Sequence, residues 1–418
     1  TLNLFRNQIG VAGARGIADA LKVNTKLTTL NLSSNQIGDE GARGIADALN
    51  KNRTLTTLNL GNNEIIDAGA RAIADALNEN RTLTTLNLFR NQIGVAGARG
   101  IADAVKENTS LTTLHLSFNQ IGDAGARAIA EALKKNRTLR TLDLSVTQIG
   151  DAGARAIAEA LKKNTTLTTL NLWDNQIGAD GAKEIAEALK ENNTLTTLDF
   201  RSNDLGVEEA TAIADALKKN SSLRSLDLGR SGIGADGAKL IAKALEENNT
   251  LTTLHLSGNQ IGDEAAREIA DVLKESTSLT TLDLGNNPIG DAGARAIADA
   301  LKENTSLTSL DLGYNEICED ITKEIEDLII RNIKILKVSV LEKHRLFERF
   351  RFRSRKIGND YAKKLISLFT FGTGLFNVRE FKEQNPNASN RDIREALFKY
   401  YLGDKDPDPS IDVTLPLK

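Results

Sequence analysis

Cysteine is almost absent from this sequence, since Cys318 is the one thiol among 418 residues. A chain with one thiol cannot form an intramolecular disulfide. This favours a reducing compartment, so we predict a cytoplasmic location. Long apolar runs are missing as well. The longest, from Leu365 to Phe376, is interrupted by Gly372 and Gly374 and is shorter than the ~20 residues that a membrane-spanning helix needs.

Two further absences concern the start of the chain and its chemistry. There is no methionine, and the chain opens on Thr1-Leu2-Asn3-Leu4, which reads as a strand interior; we expect the N-terminus to have been cut inside a longer protein. The sequence also has no phosphate-binding glycine loop, no zinc-ligand spacing and no serine or cysteine paired with an obvious base. We therefore predict that the protein is not an enzyme and that it has no cofactor, no metal and no small-molecule substrate.

What the sequence does contain is a regular repeat. A leucine recurs every 28 residues without a single insertion, at Leu30, Leu58, Leu86, Leu114, Leu142, Leu170, Leu198, Leu226, Leu254, Leu282 and Leu310. Together with Leu2 this makes twelve units over residues 1–318. Self-similarity at such a period indicates an array in which each unit buries its apolar face against its neighbours.

Each unit combines a strand pattern with a helix pattern. In the second unit Leu30 and Leu32 flank Asn31, which is the alternation of a strand with one buried face. Apolar residues then follow at helical spacing from Ala42 to Leu49, as on the buried stripe of a helix. We predict one strand and one helix per unit, joined by a tight turn.

The turn carries its own signals. Gly38 and Gly41 stand where the chain changes from strand to helix, where a tight turn and close backbone approach favour glycine. Asp39 precedes the predicted helix, and we expect its carboxylate to cap that helix.

Some units depart from the consensus. Thr147 and Ser231 replace the asparagine that ends each strand; both side chains can hydrogen-bond locally, so we expect a local adjustment and no break. Ile66 replaces the turn glycine, and Glu209 and Ala265 replace the glycine at the helix start.

The pattern L-x-x-L-x-L-x-x-N-x-I-G followed by G-A-x-x-I-A-x-A-L resembles the ribonuclease-inhibitor class of leucine-rich repeats. That class is similar to the repeat regions of NOD-like receptors and to bacterial leucine-rich-repeat effectors. The resemblance implies an α/β fold: a right-handed horseshoe solenoid with a concave parallel sheet and convex helices, followed by a small α-helical C-terminal cap or domain. The spacing of the elements agrees with this curvature, because strands stack at about 4.8 Å whereas helices pack at about 8–10 Å. The sheet must therefore lie on the inner, concave side.

The resemblance also implies a function, namely an intracellular scaffold that binds a protein partner on the concave face. A bacterial effector, which would act in the host cytoplasm, and the sensing part of a receptor are both compatible with it. The alternative is a regulator that stimulates a nucleotide-hydrolysing partner through an arginine in a repeat, as the similar Ran GTPase-activating protein implies.

Aromatic residues are scarce, with six up to Asn315, and five of them stand at the two positions before the turn asparagine. These positions should face away from the core. The predicted partner-binding residues form a band over units four to nine: Phe89, Arg90, Phe118, Val146, Trp173, Asp174, Arg201 and Arg230. Exposed aromatics with arginines are typical of interface hot spots. Drift at unconstrained positions is the competing interpretation.

The residue between the two core leucines should face the same side. In the second half of the array it is often acidic, forming a predicted row: Asp199, Asp227, Asp283 and Asp311. We expect the carboxylates to repel one another, with Arg201, Arg224 and Arg230 offsetting part of their charge. Asp227, His255 and Asp283 are not expected to bind a metal, because strand spacing does not converge side chains on a ~2.1 Å shell.

The chain after residue 318 loses the repeat. Residues 1–316 carry 33 basic and 40 acidic side chains, a net charge of −7, whereas residues 317–418 carry 20 and 16, a net charge of +4. We predict a capping helix and connection over 319–342, with the helix itself at Glu319–Asn332. A basic helical domain is predicted over 343–403, and an extended tail with prolines and acidic residues over 404–418.

The basic domain has a patch of cationic side chains: Arg345, Arg349, Arg351, Arg353, Arg355 and Lys356. Three interpretations remain open. The patch is a solvated face of a small helical domain, a surface for RNA or an acidic partner, or, together with the apolar segment up to residue 376, an attachment to anionic membrane.

Overall fold

The computed structural model describes the backbone of residues 1–353 and the side chains of residues 1–337. The chain divides into two compact units, Thr1–Glu326 and Asp327–Lys418. The predicted patch of basic side chains and the tail lie outside the residues whose side chains are described. Among the described helices, none is long and apolar enough to cross a membrane.

The first of these two compact units, which contains the repeats, alternates short strands with helices. The strands are β1 (Leu2–Asn3), β2 (Thr29–Asn31), β3 (Thr57–Asn59), β4 (Thr85–Asn87), β5 (Thr113–His115), β6 (Thr141–Asp143), β7 (Thr169–Asn171), β8 (Thr197–Asp199), β9 (Ser225–Asp227), β10 (Thr253–His255), β11 (Thr281–Asp283) and β12 (Ser309–Asp311). The helices are α1 (Gly10–Val23), α2 (Gly38–Leu49), α3 (Asp67–Glu79), α4 (Val95–Glu107), α5 (Gly122–Leu133), α6 (Asp151–Leu161), α7 (Ala179–Glu191), α8 (Val207–Lys219), α9 (Gly234–Ala244), α10 (Asp263–Glu275), α11 (Asp291–Glu303) and α12 (Glu319–Arg353).

All twelve strands form one parallel sheet in chain order, from β1 to β12. The register equals the repeat period, so that Leu30 pairs with Leu58 and Leu58 with Leu86. Twelve units, one strand and one helix in each and no insertion confirm the predicted leucine-rich-repeat solenoid.

The core lies between the sheet and the helices. In the second unit Leu30, Leu32 and Ile37 are fully buried from the strand side, and Ile45 and Leu49 from the helix side. Burying a leucine or isoleucine side chain stabilises a fold by about 1.5–3 kcal/mol, and the same set recurs in the units that follow. No helix of the repeats within residues 1–326 covers the opposite side of the sheet. We call this side the open face.

Buried asparagines connect each repeat to the one before it. The Nδ2 of Asn52 donates to the carbonyl oxygens of Leu21 and Asn24, both at 2.9 Å, across the repeat boundary. Its Oδ1 accepts the N–H groups of Thr54 at 3.0 Å and Leu55 at 2.8 Å. The carbonyls at the end of one helix are thereby satisfied by the next repeat, as buried backbone groups require.

The same arrangement recurs along the array, forming a ladder of buried asparagines: Asn52, Asn80, Asn108, Asn136, Asn164, Asn192, Asn220, Asn248 and Asn304.

A second set of asparagines turns the chain after each strand, and the two residues that replace asparagine at this position behave as predicted. Thr147 donates through Oγ1 to the carbonyl of Leu144 at 2.5 Å. Ser231 donates to the carbonyls of Phe200 at 3.3 Å and Gly229 at 3.2 Å. The hydroxyls replace part of the asparagine's hydrogen bonding, and the sheet continues without a break.

The prediction for Asp39 was wrong in its target. Asp39 lies in the first turn of its own helix, and its Oδ1 accepts the N–H groups of Ile66 and Gly69, both at 2.9 Å, at the start of the following helix. Asp123 does the same for Gly150 and Gly153, both at 2.8 Å. The cap therefore acts between repeats, because the start of each helix lies beside the first turn of the helix before it.

This inter-repeat cap explains the departures at the turn. Ile66 is tolerated because its capped backbone has φ −107°, a region open to any residue. Gly122 occupies the equivalent position two repeats later and adopts φ +57°. The repeat before Gly122 has Val95 in place of the aspartate and so lacks the cap. Where the aspartate is present, a Cβ on the helix-start glycine would meet its carboxylate, at 2.8 Å for Gly153. Glu209 and Ala265 replace that glycine in two units whose preceding repeat carries alanine at the aspartate position, so this carboxylate is absent there.

Helix α12 is longer than predicted. It begins at Glu319, as expected, and buries Ile321 and Ile325, but it continues past Asn332 to Arg353. The residues from 333 to 353 contain neither proline nor glycine, so nothing in their sequence ends a helix. The helix crosses the boundary predicted at residue 342, and the division of the chain into two units falls within it, between residues 326 and 327.

We expect Asp123→Ala to lower the free energy of unfolding by about 1–2 kcal/mol, since it removes the acceptor for two N–H groups at the start of α6. Asp75→Ala is the matched control, because Asp75 is exposed on α3 and the same charge is lost. Urea denaturation measures the difference, and hydrogen exchange should locate it in the first turn of α6. Equal losses in the two variants would contradict the inter-repeat cap.

Candidate protein-binding surface

The open face is built from three positions in each repeat: the last residue of the strand, which stands between the two core leucines, and the two residues that follow the second core leucine. The Oδ1 of Asn87, the last residue of β4, accepts the N–H of Phe89 at 2.8 Å, and Asn171 accepts that of Trp173 at 2.9 Å. A side-chain hydrogen bond thus fixes the backbone on which each outward-facing aromatic residue stands.

The last residue before the turn asparagine adopts a left-handed conformation in repeat after repeat. Phe118 has φ +56° and Val146 has φ +54°, whereas Gly258 occupies the same position in the tenth unit with φ +67°. The left-handed region costs a residue with a Cβ roughly 1–2 kcal/mol, and it is a marked outlier for bulky or β-branched side chains. The local backbone therefore does not favour phenylalanine or valine at these positions.

Three aromatic rings and one guanidinium join into a continuous cluster, which we call the aromatic cluster. The ring of Phe118 meets that of Phe89 edge-on, with centroids 5.1 Å apart, and that of Trp173 with centroids 6.0 Å apart. The Cζ of Arg201 lies 5.1 Å from the centroid of Trp173. Edge-to-face pairs and an arginine over tryptophan are favourable geometries.

The cluster is only partly covered by its own chain. Phe118 is 37% exposed, and Phe89 and Trp173 are partly exposed. Strand spacing predicts about 10 Å between Phe118 and Trp173. Their ring centroids are closer, at 6.0 Å, because the two side chains lean toward each other over the intervening repeat. Val146 of that repeat is small and partly exposed.

The other predicted members of the band lie beside the cluster. Arg90, Asp174 and Arg230 are exposed. Within residues 1–337, no ring contact or ion pair joins these three side chains to the aromatic cluster. The structure therefore brings together Phe89, Phe118, Trp173 and Arg201 and leaves the remaining residues at their edge.

Arg201 also pairs with the acidic row. Its Nη2 lies 2.8 Å from Asp199 Oδ2, and its Nε lies 3.6 Å from Asp227 Oδ2. Burial, and then the neighbouring charge of Asp227, raise the pKa of Asp199 above its ordinary value, although the hydrogen bond from Arg201 opposes this. Among the three arginines expected to offset the row, Arg201 is the one for which the described structure has ion pairs with it.

Two histidines pair with aspartates of the next strand. Nδ1 of His255 lies 3.5 Å from Asp283 Oδ2, and Nδ1 of His115 lies 3.5 Å from Asp143 Oδ2. The hydrogen bond to Asp283 raises the pKa of His255 above its ordinary value of 6.5, even though burial acts in the opposite direction. Asp311, at the last strand, is exposed.

Sequence reasoning missed the structural role of the last strand residue, which stands between the two core leucines. The carboxylate of Asp227 accepts the N–H of Gly229 at 2.9 Å, and that of Asp283 accepts the N–H of Gly285 at 2.8 Å, as the asparagines do in earlier repeats. The alternation of asparagine and aspartate at one position was the available signal, because both supply the same acceptor. In the described part of the chain, no three histidine, cysteine or acidic side chains are grouped to hold a metal ion.

We expect His255 to titrate above pH 6.5. A raised pKa in the folded state means that the pair with Asp283 contributes stability that is full below pH 6.5 and is lost as the pH rises through the folded-state pKa. The imidazole resonances followed by NMR measure this pKa, and Asp283→Asn should lower it. An unchanged His255 titration in Asp283→Asn would show that the pair is not formed.

Two family models match the sequence. A model described as "TMOD/LMOD Leucine-rich domain" matches residues 118–229 and 231–346. A model described as "Leucine Rich repeat" matches residues 1–18, 23–46, 51–74, 79–102 and 219–242. No curated protein matches the sequence.

The sequence is similar to solved structures at low identity. The actin-binding site 2 of leiomodin-1 is 24% identical, with a TM-score of 0.37 over 40% of this chain and 96% of that chain. The tropomodulin C-terminal domain of Caenorhabditis elegans is 17% identical, with a TM-score of 0.32 over 36% and 92%. An internalin of Listeria monocytogenes is 18% identical, with a TM-score of 0.41 over 76% and 92%.

The family follows from the sequence matches and the repeat together. The two regions matched by the first model make up more than half of the 418 residues, and the second model matches units that lie before them. Leucine-rich-repeat families are in general binding scaffolds without enzymatic activity. The chain belongs to the leucine-rich-repeat family, in the group described as the TMOD/LMOD leucine-rich domain.

Proposed function

We propose that the chain is a scaffold that binds a protein partner on the open face of its sheet, which we predict to be concave, and that the aromatic cluster is the anchor. The observation that carries this proposal is the contact of three partly exposed aromatic rings on a surface where the repeat consensus needs none. Tryptophan and arginine are enriched among the residues that dominate binding energy at protein interfaces.

The cost of the cluster supports the proposal. Phe118 of the cluster, like the neighbouring Val146, occupies a left-handed backbone position that glycine or asparagine would fill with less strain. An exposed aromatic side chain also adds nothing to the core between sheet and helices. Backbone strain and the exposure of apolar surface both disfavour these side chains in the free protein. A bound partner is the simplest source of the free energy that compensates for them.

The cluster is also ordered before any partner arrives. Phe118 is held between two rings, and Arg201 is held by Trp173 on one side and by Asp199 and Asp227 on the other. Side chains that are already fixed lose little rotamer entropy on binding, which improves affinity for a given contact area.

The alternative of an arginine that stimulates a nucleotide-hydrolysing partner is not favoured by a specific observation. Such an arginine must reach out to the partner's phosphates, and Arg201 is engaged within its own chain. Attachment to RNA or to anionic membrane through residues 343–376 stays a prediction, because their side chains lie outside the described residues. The cytoplasmic location, and the host cytoplasm for an effector, also stay predictions.

Trp173→Ala and Phe118→Ala should each weaken partner binding at least tenfold, since truncating an interface anchor typically costs about 2 kcal/mol or more. Phe5→Ala is the matched control, because Phe5 occupies the position equivalent to Trp173 in the first unit, is 49% exposed and lies outside the cluster. Partners recovered by affinity capture with the whole chain are purified and titrated by calorimetry. Actin is included because the leiomodin-1 domain is described as an actin-binding site.

Phe118→Asn separates binding from folding. Asparagine tolerates the left-handed conformation better than phenylalanine, so we expect the melting temperature to stay the same or rise while partner binding falls. Normal binding in Phe118→Asn and Trp173→Ala would show that the aromatic cluster is not the site. A lower melting temperature in Phe118→Asn would show that the ring serves the fold.

A further inference from the structure

The open face differs on the two sides of the aromatic cluster. In units two to four, up to the start of the cluster, the last strand residues are neutral: Asn31, Asn59 and Asn87. In units eight to twelve, from the end of the cluster onward, they are ionisable: Asp199, Asp227, His255, Asp283 and Asp311. Since asparagine and aspartate make the same hydrogen bond to the backbone two residues on, the fold does not require the negative charges on the second side.

The ionisable side of the open face is also sterically open. The position occupied by Phe89 and Trp173 in the cluster is taken by small residues in the last four units: Gly229, Ser257, Gly285 and Gly313. No large side chain at that position covers the carboxylates of Asp227 and Asp283, whose side chains are 17% and 21% exposed.

The negative charges of this side are incompletely balanced by the chain itself. Arg201 pairs with Asp199 and Asp227, and His255 pairs with Asp283 and carries a charge only when protonated. Near neutral pH the four carboxylates of the row therefore exceed the cations paired with them in the described residues.

Arg201 makes the apolar and the anionic surfaces continuous. Its guanidinium lies over Trp173 and contacts Asp199 and Asp227. A partner that covers the aromatic cluster and extends toward the last repeats must therefore pass directly onto the carboxylates. Anionic partners such as nucleic acid would be disfavoured there, because like charges brought together cost free energy.

We infer that the partner is a protein segment that carries a large apolar side chain for the aromatic cluster and, beside it, lysine or arginine side chains for Asp227 and Asp283. This inference rests on the proposed function and specifies the chemistry of the partner. Asp227 and Asp283 lie two and four strands beyond Trp173, about 10 and 19 Å along the sheet. An extended segment that crosses the strands covers these distances in about three and six residues. Its basic residues are therefore expected at those spacings from the apolar one.

Selection from a displayed library of random 12-residue peptides tests the inference without a known partner. Against the whole chain, we expect selected peptides to combine an aromatic or large aliphatic residue with lysine or arginine about three and six positions away. Against the double variant Asp227→Asn and Asp283→Asn, the basic residues should lose their enrichment while the apolar residue is retained. Asparagine keeps the acceptor for the N–H groups of Gly229 and Gly285, so the fold is preserved.

The control is the double variant Asp75→Asn and Asp103→Asn, which changes the net charge by the same amount on exposed helix positions. It should select the same basic peptides as the unchanged chain, and the best peptide should bind the row variant at least tenfold more weakly than this control.

The outcomes separate the two proposals. Peptides that require Phe118 and Trp173 but show no basic enrichment, or that bind the row variant as well as the control, overturn this inference and leave the proposed function standing. Peptides that bind equally after Trp173→Ala and Phe118→Ala, or the absence of any binding peptide, overturn the proposed function and this inference with it.

Discussion

The hydrogen bond from one repeat into the repeat before it is the interaction on which the rest of this structure depends. Asn52 satisfies carbonyls of the previous helix, and Asp39 satisfies N–H groups of the following one. An unpaired buried backbone group costs about 1–3 kcal/mol. Each repeat therefore needs its neighbours on both sides, and a change in the length of one unit would misplace donors and acceptors at two boundaries. The constant period of 28 residues is the record of this constraint in the sequence.

The same constraint leaves the open face free to carry function. The asparagine ladder, the inter-repeat caps and the core leucines hold the backbone through atoms on the helix side and at the turns. The two outward-facing residues after the second core leucine can therefore change without affecting assembly. The aromatic cluster and the acidic row use this freedom in different ways. Phe118 accepts an unfavourable backbone conformation, whereas Asp227 keeps the hydrogen bond that asparagine makes elsewhere and adds a charge.

The sequence was sufficient for the fold and for the set of residues that face outward, because a strand and a helix have different periods and both periods repeat twelve times. It was not sufficient for contacts between repeats. Asp39 is close in sequence to its own helix and close in space to the next one, and a periodic sequence offers both partners equally. The ring contact between Phe118 and Trp173 depends on rotamers across an intervening unit, and the pairing of Arg201 with two aspartates depends on where a long side chain turns. The continuation of α12 past Asn332, by contrast, has a signal in the sequence, because residues 333–353 contain neither proline nor glycine.

The asparagine ladder has a consequence for N-linked glycosylation. Asn52, Asn80, Asn108 and their equivalents each begin an Asn-x-Ser/Thr tripeptide, the acceptor sequence for N-linked glycans. A glycan would attach to Nδ2, the atom that is buried and donates to the carbonyls of the preceding repeat. The folded chain withholds that atom from any transferase, and a chain glycosylated while still unfolded would carry a bulky sugar where each repeat must close on the last. Passage through a glycosylating compartment would thus set sugar transfer and folding in direct competition at nine sites along the array.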